Sequence, residues 1–100
     1  MLYIIMVDSM FTAASSQLAA ALRELRLDVG LTQRQLAQLL GREQNYIARL
    51  EQGQRRIDLV ELIQFCRACQ QDPQEVISAL TARLVPLVPI RHRRTSRPQR

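Results

Sequence analysis

Residues 31–53, LTQRQLAQLLGREQNYIARLEQG, contain two short helical patterns joined by a glycine. Thr32 and Gln35 have the spacing of a capping box, in which each side chain bonds a free backbone N–H group at a helix start. Gly41 has the conformational freedom that a sharp turn between helices requires, and Gly53 stands where a helix commonly ends in a left-handed glycine. The pattern predicts a helix-turn-helix unit.

Apolar residues recur at helical spacing in both halves of this unit. Leu36, Leu39 and Leu40 form an apolar stripe on the first helix. Ile47 and Leu50 form the corresponding stripe on the second. We therefore expect the polar and basic side chains of the second helix to face outward.

Three further helices are predicted around this unit, each with a start signal. These signals, in chain order, are Ser15 or Ser16, the pair Asp58 and Glu61, and Asp72 before Pro73. The residues expected to face the core are Leu18, Leu22, Leu25, Leu59, Leu62, Ile63, Cys66, Cys69, Val76, Ile77, Leu80 and Leu84. Five helices without a strand pattern in the domain predict an all-α fold.

Residues 22–80 resemble the Xre family of helix-turn-helix proteins, which are relatives of the lambdoid phage repressors and Cro. The resemblance rests on an LTQ element that begins the first motif helix and an E-x-G element that ends the second. The matching residues are Leu22, Arg23, Arg26, Gly30, Leu31, Thr32, Gln33, Leu36, Ala37, Leu40, Gly41, Ile47, Glu51 and Gly53. The resemblance implies a five-helix, lambda-repressor-like DNA-binding domain.

In this family the second motif helix lies in the major groove, and its first residues reach base edges. The resemblance therefore implies DNA base contacts by Gln44, Asn45 and Arg49. These residue types suit the role, because Gln and Asn can bond adenine bidentately and Arg can bond guanine. The alternative is that all three are solvated polar residues of an amphipathic helix, with Arg49 paired to a nearby acid.

Contacts to DNA phosphates hold a protein in register without reading sequence, and a second set of residues is expected to make them. Gln33 begins the first motif helix, where family members commonly touch the DNA backbone. Arg55 and Arg56 follow in a loop that in relatives runs along that backbone. The full set is Gln33, Arg34, Arg42, Tyr46, Arg55 and Arg56. Each is alternatively a solvated surface side chain.

Two glutamates of the motif carry different expectations. Glu51 resembles the family's inward-turned acid, and we expect it to pair with Arg23 or Arg26. Glu43 stands where relatives usually have Ser, Thr or Pro. An acid at this position favours the helix dipole and repels phosphate, or it accepts a hydrogen bond from a cytosine amino group.

Charge is placed unevenly along the chain. All fourteen basic residues are arginines: nine lie within residues 1–90, where they balance nine acids, and five lie within residues 91–100. Residues 31–57 hold five arginines against two glutamates, a local surplus that is typical of a DNA-facing segment. The arginine tail is expected to be disordered and to attract nucleic acid in a salt-dependent way, or else to be a solvated terminus.

The sequence divides into a flexible apolar arm over residues 1–14, the helix-turn-helix DNA-binding domain over residues 15–84 and a Pro/Arg-rich tail over residues 85–100. Residues 1–7 are too few to span a membrane, which takes about 20 residues, and no basic segment of a signal peptide precedes them. We expect these residues to form a strand or a dimer arm. If Met10 is the true start, they are instead translated upstream sequence. The Val/Pro run at 84–90 is extended by preference.

Two cysteines have the C-x-x-C spacing of a zinc or redox motif. A structural zinc site takes about four ligands, however, and the only histidine is His92 in the tail. Cys66 and Cys69 also fall on the apolar stripe of the predicted fourth helix. We expect both to be buried core residues in a reducing cytoplasm, with metal binding and redox sensing as the alternatives and no cofactor.

No catalytic constellation stands out, so an enzyme is not expected. The leading hypothesis is a sequence-specific DNA-binding transcriptional regulator, a repressor that acts as a homodimer on an inverted-repeat operator in double-stranded DNA. The dimer surface is expected on the fifth helix and the Val/Pro run. One alternative is the antitoxin of a toxin–antitoxin pair, in which the apolar stretch at 84–90 and the basic tail wrap the toxin. The other is a protein-interaction adaptor that has kept the fold without DNA binding.

Overall fold

The computed structural model describes the backbone of residues 2–90 and the side chains of residues 12–90. This part of the chain is all-helical, as the sequence predicts, with five α-helices. The Val/Pro run, which is expected from the sequence to be extended, instead forms a 3-10 turn over Val85–Leu87. The bounds are α1 Leu2–Asp28, α2 Gln33–Leu40, α3 Gln44–Glu51, α4 Leu59–Ala68, α5 Pro73–Leu84 and the 3-10 turn Val85–Leu87. Helices α2 and α3 form the helix-turn-helix unit.

This unit begins and ends where the sequence indicates. The Thr32 hydroxyl accepts a hydrogen bond from the Gln35 N–H at 3.0 Å, and the Gln35 side chain accepts one from the Thr32 N–H at 2.9 Å. Gly41 ends α2 in the left-handed region with φ +66°, and Gly53 follows α3 with φ +74°. Both glycines therefore occupy backbone conformations that other residues adopt only with strain.

The caps of the last two helices are also confirmed. Asp58 Oδ1 accepts a hydrogen bond from the Glu61 N–H at 2.7 Å, while Glu61 Oε1 accepts one from the Asp58 N–H at 3.0 Å. Asp72 caps α5 through the N–H of Gln74 at 3.1 Å, and Pro73 is the first helical residue. Helices α4 and α5 thus each start at a side chain that satisfies a free backbone donor.

Helix α1 is longer than the sequence analysis predicts. Its backbone is helical from Leu2 to Asp28, so the prediction that Ser15 or Ser16 caps it is wrong. No proline or glycine interrupts residues 2–28 and two alanines precede the serines, which favours an unbroken helix. The strand considered for residues 1–7 is also wrong for residues 2–7, whose backbone is helical. The division into arm, domain and tail stays a prediction, and residues 91–100 lie outside the described part.

A main core forms where α1, α2, α3 and α4 meet, and a smaller cluster fixes α5 against α1 and α4. The largest fully buried side chains are Phe65, Leu22, Leu36, Ile47, Leu50, Cys66 and Cys69. Both cysteines are buried free thiols, which confirms their predicted core position. Burial raises the pKa of Cys69 to about 11, and this holds the thiol in its neutral, unreactive form at pH 7.

Two residues expected in the core are exposed instead. The exposed fraction is 61% for Leu39 and 60% for Leu59. The buried side of α2 is formed by Leu36 and Ala37, and Leu39 lies beside that face rather than on it. Leu59 is the first residue of α4, whereas the buried residues of this helix, Phe65 and Cys66, lie in its second half. The apolar stripes are therefore narrower than their sequence spacing suggests.

A buried ion pair connects the first helix to the helix-turn-helix unit. Arg26 donates from Nε and Nη2 to the two carboxylate oxygens of Glu51, at 2.6 and 2.8 Å. Its Nη1 donates to the backbone carbonyl of Leu31 at 2.9 Å. The side chains are 8% and 3% exposed. Of the two predicted partners of Glu51, the structure thus selects Arg26, while Arg23 is exposed.

Replacing Glu51 with alanine leaves the buried Arg26 guanidinium without its carboxylate. We expect the free energy of unfolding to fall by about 3–5 kcal/mol, because removing one partner of a buried pair leaves an uncompensated charge. Urea denaturation followed by circular dichroism measures this loss. The control is the double variant Arg26→Met/Glu51→Leu, which we expect to cost less than the single change. A double variant that is less stable than Glu51→Ala would contradict this account.

Candidate DNA-binding surface

Helix α3 presents three polar side chains to solvent on the side opposite its core contacts. Gln44, Asn45 and Arg49 are exposed, while Ile47 and Leu50 are buried. The amphipathic character expected from the sequence is therefore present. The base contacts themselves stay a prediction.

Gln44 is held in place through a second glutamine. Gln44 Nε2 donates to Gln33 Oε1 at 3.3 Å, and Gln33 Nε2 donates to Glu51 Oε1 at 3.1 Å. A continuous chain of hydrogen bonds thus runs from the buried Arg26 to the first residue of α3. Sequence reasoning considered Gln33 only as a phosphate contact, because no local pattern relates residues on two different helices.

Tyr46 lies beneath two arginines. Its exposed fraction is 9%, and the guanidinium carbons of Arg42 and Arg55 lie 3.7 and 4.7 Å from the centre of its ring. Burial is the main cause that raises the pKa of Tyr46. Cations over an aromatic face are attracted by its quadrupole, so the ring supports both side chains. A phosphate contact by Tyr46 itself stays a prediction.

Glu61 is the shared anion of these two arginines. Arg55 donates from Nη1 and Nη2 to its two carboxylate oxygens at 3.2 and 3.0 Å, and Arg42 Nη1 lies 3.6 Å from Oε2. The bond from Arg55, followed by that from the Asp58 N–H, lowers the pKa of Glu61 from 4.5 to about 2. The sequence predicts Glu61 only as a capping residue, since Arg42 and Arg55 lie in two separate loops, one before and one after α3.

Arg42, Tyr46 and Arg55 border one surface pocket of about 270 Å³. The pocket combines residues expected to contact bases with residues expected to contact the DNA backbone. Its lining consists of Arg42, Glu43, Asn45, Tyr46, Arg49 and Arg55. The remaining members of the predicted backbone set, Gln33, Arg34 and Arg56, do not line it.

Glu43 lies at the N-terminal cap of α3, is exposed, and makes no capping hydrogen bond. It is thus an acid inside a pocket that otherwise carries three guanidinium groups. Its position fits each of the roles considered from the sequence, because it is next to both the helix N-terminus and the pocket arginines.

The described part of the chain contains neither a metal site nor a membrane-spanning helix. Within it, no group of three or more His, Cys, Asp or Glu side chains is arranged to hold a metal ion. No helix there has the length and apolar character to cross a membrane.

The lowered pKa of Glu61 predicts a pH-dependent stability. The group contributes stability above its unfolded pKa of 4.5, and this contribution is lost as the pH falls from about 4.5 toward about 2. We expect Glu61→Gln to lower the free energy of unfolding at pH 7 and to converge on wild type near pH 2. Denaturation curves across this range measure the difference.

The matched control is Glu75→Gln. Glu75 occupies the same third position in the first turn of α5, and it has no ion pair or hydrogen bond from its side chain among the described residues. A difference between Glu61→Gln and wild type that stays constant from pH 7 to pH 2 would refute the assignment of the shift to Glu61.

Comparisons with known proteins give the family. A model described as a helix-turn-helix domain matches residues 17–79. An XRE-family like protein from Pseudomonas syringae pv. tomato is 36% identical, with a TM-score of 0.69, over 76% of this chain and 93% of that chain. The restriction-modification controller protein C.AhdI from Aeromonas hydrophila is 35% identical, with a TM-score of 0.60, over 65% of this chain and 94% of that one.

The clp gene regulator ClgR from Corynebacterium glutamicum is 27% identical, with a TM-score of 0.63, over 73% of this chain and 78% of that chain. No curated protein matches the chain. The family model covers more than half of the residues, and it includes the whole helix-turn-helix unit. The chain therefore belongs to the Xre family of helix-turn-helix proteins and has the fold of DNA-binding transcription regulators.

Proposed function

We propose that the protein is a sequence-specific DNA-binding transcriptional regulator, a cytoplasmic repressor that acts as a homodimer on an inverted-repeat operator. The observation that carries this proposal is the exposed polar face of α3, whose first residue is tied to the buried Arg26–Glu51 pair. A reading face must be rigid to discriminate between bases, because each correct hydrogen bond depends on position. The bond between Gln44 and Gln33 supplies that rigidity.

In this proposal Gln44, Asn45 and Arg49 contact base edges in the major groove. Asn45 and Arg49 make no side-chain hydrogen bond among the described residues, so their polar groups are available to a ligand. The residues that contact the DNA backbone in this proposal are Gln33, Arg34, Arg42, Tyr46, Arg55 and Arg56. The local excess of arginine over glutamate in residues 31–57 supports this division.

A homodimer is proposed because a single small module buries limited surface on DNA. Two copies would place their reading helices in half-sites about 34 Å apart. The C-terminal segment offers apolar side chains for such contact: Val85, Val88 and Ile90 are 60%, 47% and 85% exposed. The relatives named as a controller protein and a gene regulator support regulation as the outcome.

The same apolar segment favours a second candidate, the antitoxin of a toxin–antitoxin pair. In that case Val85, Val88 and Ile90 contact a toxin rather than a second copy. Copurification with the product of a neighbouring gene at a fixed ratio distinguishes the antitoxin from a regulator that dimerises alone. An adaptor without DNA binding is the remaining alternative.

Selection from a random duplex library at near-physiological salt, with the full chain and a 1–90 truncation, tests the proposal. We expect both forms to recover one inverted-repeat sequence. Arg49→Ala is expected to weaken binding to that sequence by about 10- to 100-fold and to relax selectivity at one base pair, because a bidentate base contact is worth about 1–3 kcal/mol.

The matched control is Arg67→Ala, which removes an exposed arginine of α4 that is not part of the pocket lining. We expect it to retain selectivity at every base pair. If no sequence is enriched, and if binding disappears in the 1–90 truncation, the regulator hypothesis fails and the adaptor hypothesis is favoured.

A further inference from the structure

We propose that the pocket bordered by Arg42, Tyr46 and Arg55 binds one phosphate group of the DNA backbone, and that Glu61 is a positioning residue that holds both arginines for it. The proposal rests on the proposed function, since it specifies how that DNA-binding surface grips the duplex. It assigns a role to Glu61, which itself does not line the pocket.

The bonds of Arg55 leave one edge of its guanidinium available. Nη1 and Nη2 donate to Glu61, and Nη1 also donates to the Arg56 carbonyl at 2.7 Å. Of the five N–H groups of arginine, Nε–H and the second Nη2–H make no bond among the described residues. These two point from the same edge, in the fork geometry that matches two oxygens of a phosphate.

Arg42 offers further donors next to that edge. Its guanidinium lies over the Tyr46 ring at 3.7 Å, and its only described partner besides the ring is Glu61 at 3.6 Å, which is longer than a hydrogen bond. The side chain is 39% exposed, compared with 32% for Arg55. Both arginines line the pocket, so an anion within it meets donors from two segments of the chain.

Glu61 makes this arrangement possible because two guanidinium groups over one ring repel each other. Its carboxylate forms a salt bridge with each of them. The carboxylate is itself fixed by the Asp58 N–H at 3.0 Å and is 15% exposed. Arginine side chains lose conformational freedom when they bind a partner, and that cost is smaller when they are already ordered.

The charges of the cluster also favour an anion. One carboxylate does not neutralise two guanidinium groups, and Arg49 adds a third to the pocket, opposed by Glu43. Asn45 and Arg49 belong to the exposed face of α3. A phosphate in the pocket would therefore lie directly beside the base pairs that this face reads.

Substitution of Glu61 by glutamine tests the positioning role in the full chain. Glutamine preserves the capping box, as Gln35 does at the equivalent position of α2, but removes the charge that orders the arginines. We expect the affinity for the selected duplex to fall by about threefold to tenfold for each side chain released. Glu75→Gln, which makes the same change in net charge at the equivalent position of α5, is expected to bind at least as tightly as wild type.

A second measurement uses inorganic phosphate as the probe and does not depend on base reading. In nuclear magnetic resonance spectra, the Arg55 Nε–H signal, assigned by its absence in Arg55→Lys, is expected to shift saturably on phosphate addition. Glu61→Gln is expected to weaken that saturation, and Glu75→Gln to leave it unchanged.

The outcomes separate this proposal from the proposed function. If Glu61→Gln binds duplex as tightly as Glu75→Gln or more tightly, Glu61 only screens the arginines and the positioning role is overturned. If phosphate causes no saturable shift of the Arg55 signal in the wild type, the pocket is overturned even when an operator is recognised. If phosphate saturates the signal but the library yields no enriched sequence, the pocket stands and the regulator hypothesis fails.

Discussion

The ion pair between Arg26 and Glu51 is the contact on which the position of α3 depends. Helix α3 has eight residues, and helices this short are marginal by themselves in water. Its orientation must therefore be fixed by contacts with the rest of the protein, which Ile47, Leu50 and the buried carboxylate of Glu51 make. Desolvation makes a buried pair costly unless its geometry is good and its remaining groups are bonded. Here the pair is bidentate, and both Leu31 and Gln33 complete its hydrogen bonds.

Two groups of charged residues support α3. Both consist of arginine and glutamate, and they differ mainly in how far they are exposed to solvent. The Arg26–Glu51 pair is almost fully buried, and each of the three guanidinium nitrogens of Arg26 donates a hydrogen bond inside the protein. The Arg42–Arg55–Glu61 group stays partly exposed, so some donors remain for a ligand. Asn45 and Arg49 lie among side chains that both groups hold in place. Rigid support around a few unbonded polar groups is what selective recognition requires.

Local signals in the sequence were sufficient for the starts of α2, α4 and α5 and for the glycine that ends α2, because a capping box and a left-handed glycine have fixed spacing, but they misplaced the start of α1. Thr32 with Gln35 shows this. The bonds that organise the surface join residues 11, 18 and 25 positions apart, and their pairing depends on how the helices pack. The sequence therefore offered Arg23 and Arg26 as equal partners of Glu51. It also contained no sign of the bond between Gln33 and Gln44, or of the exposed position of Leu39.

The distribution of charge constrains how such a surface can act. Residues 1–90 carry equal numbers of arginines and acids, so the domain as a whole has little long-range attraction for DNA. In the proposed function, discrimination between DNA sequences then depends on short-range contacts in which geometry decides, such as those of the unbonded guanidinium edge of Arg55 and of Gln44. An acid such as Glu43 within the pocket strengthens this dependence, because it penalises a phosphate that is out of position. If the proposed function holds, a domain without net charge but with a few ordered arginines has a lower affinity for arbitrary DNA and discriminates better between sites.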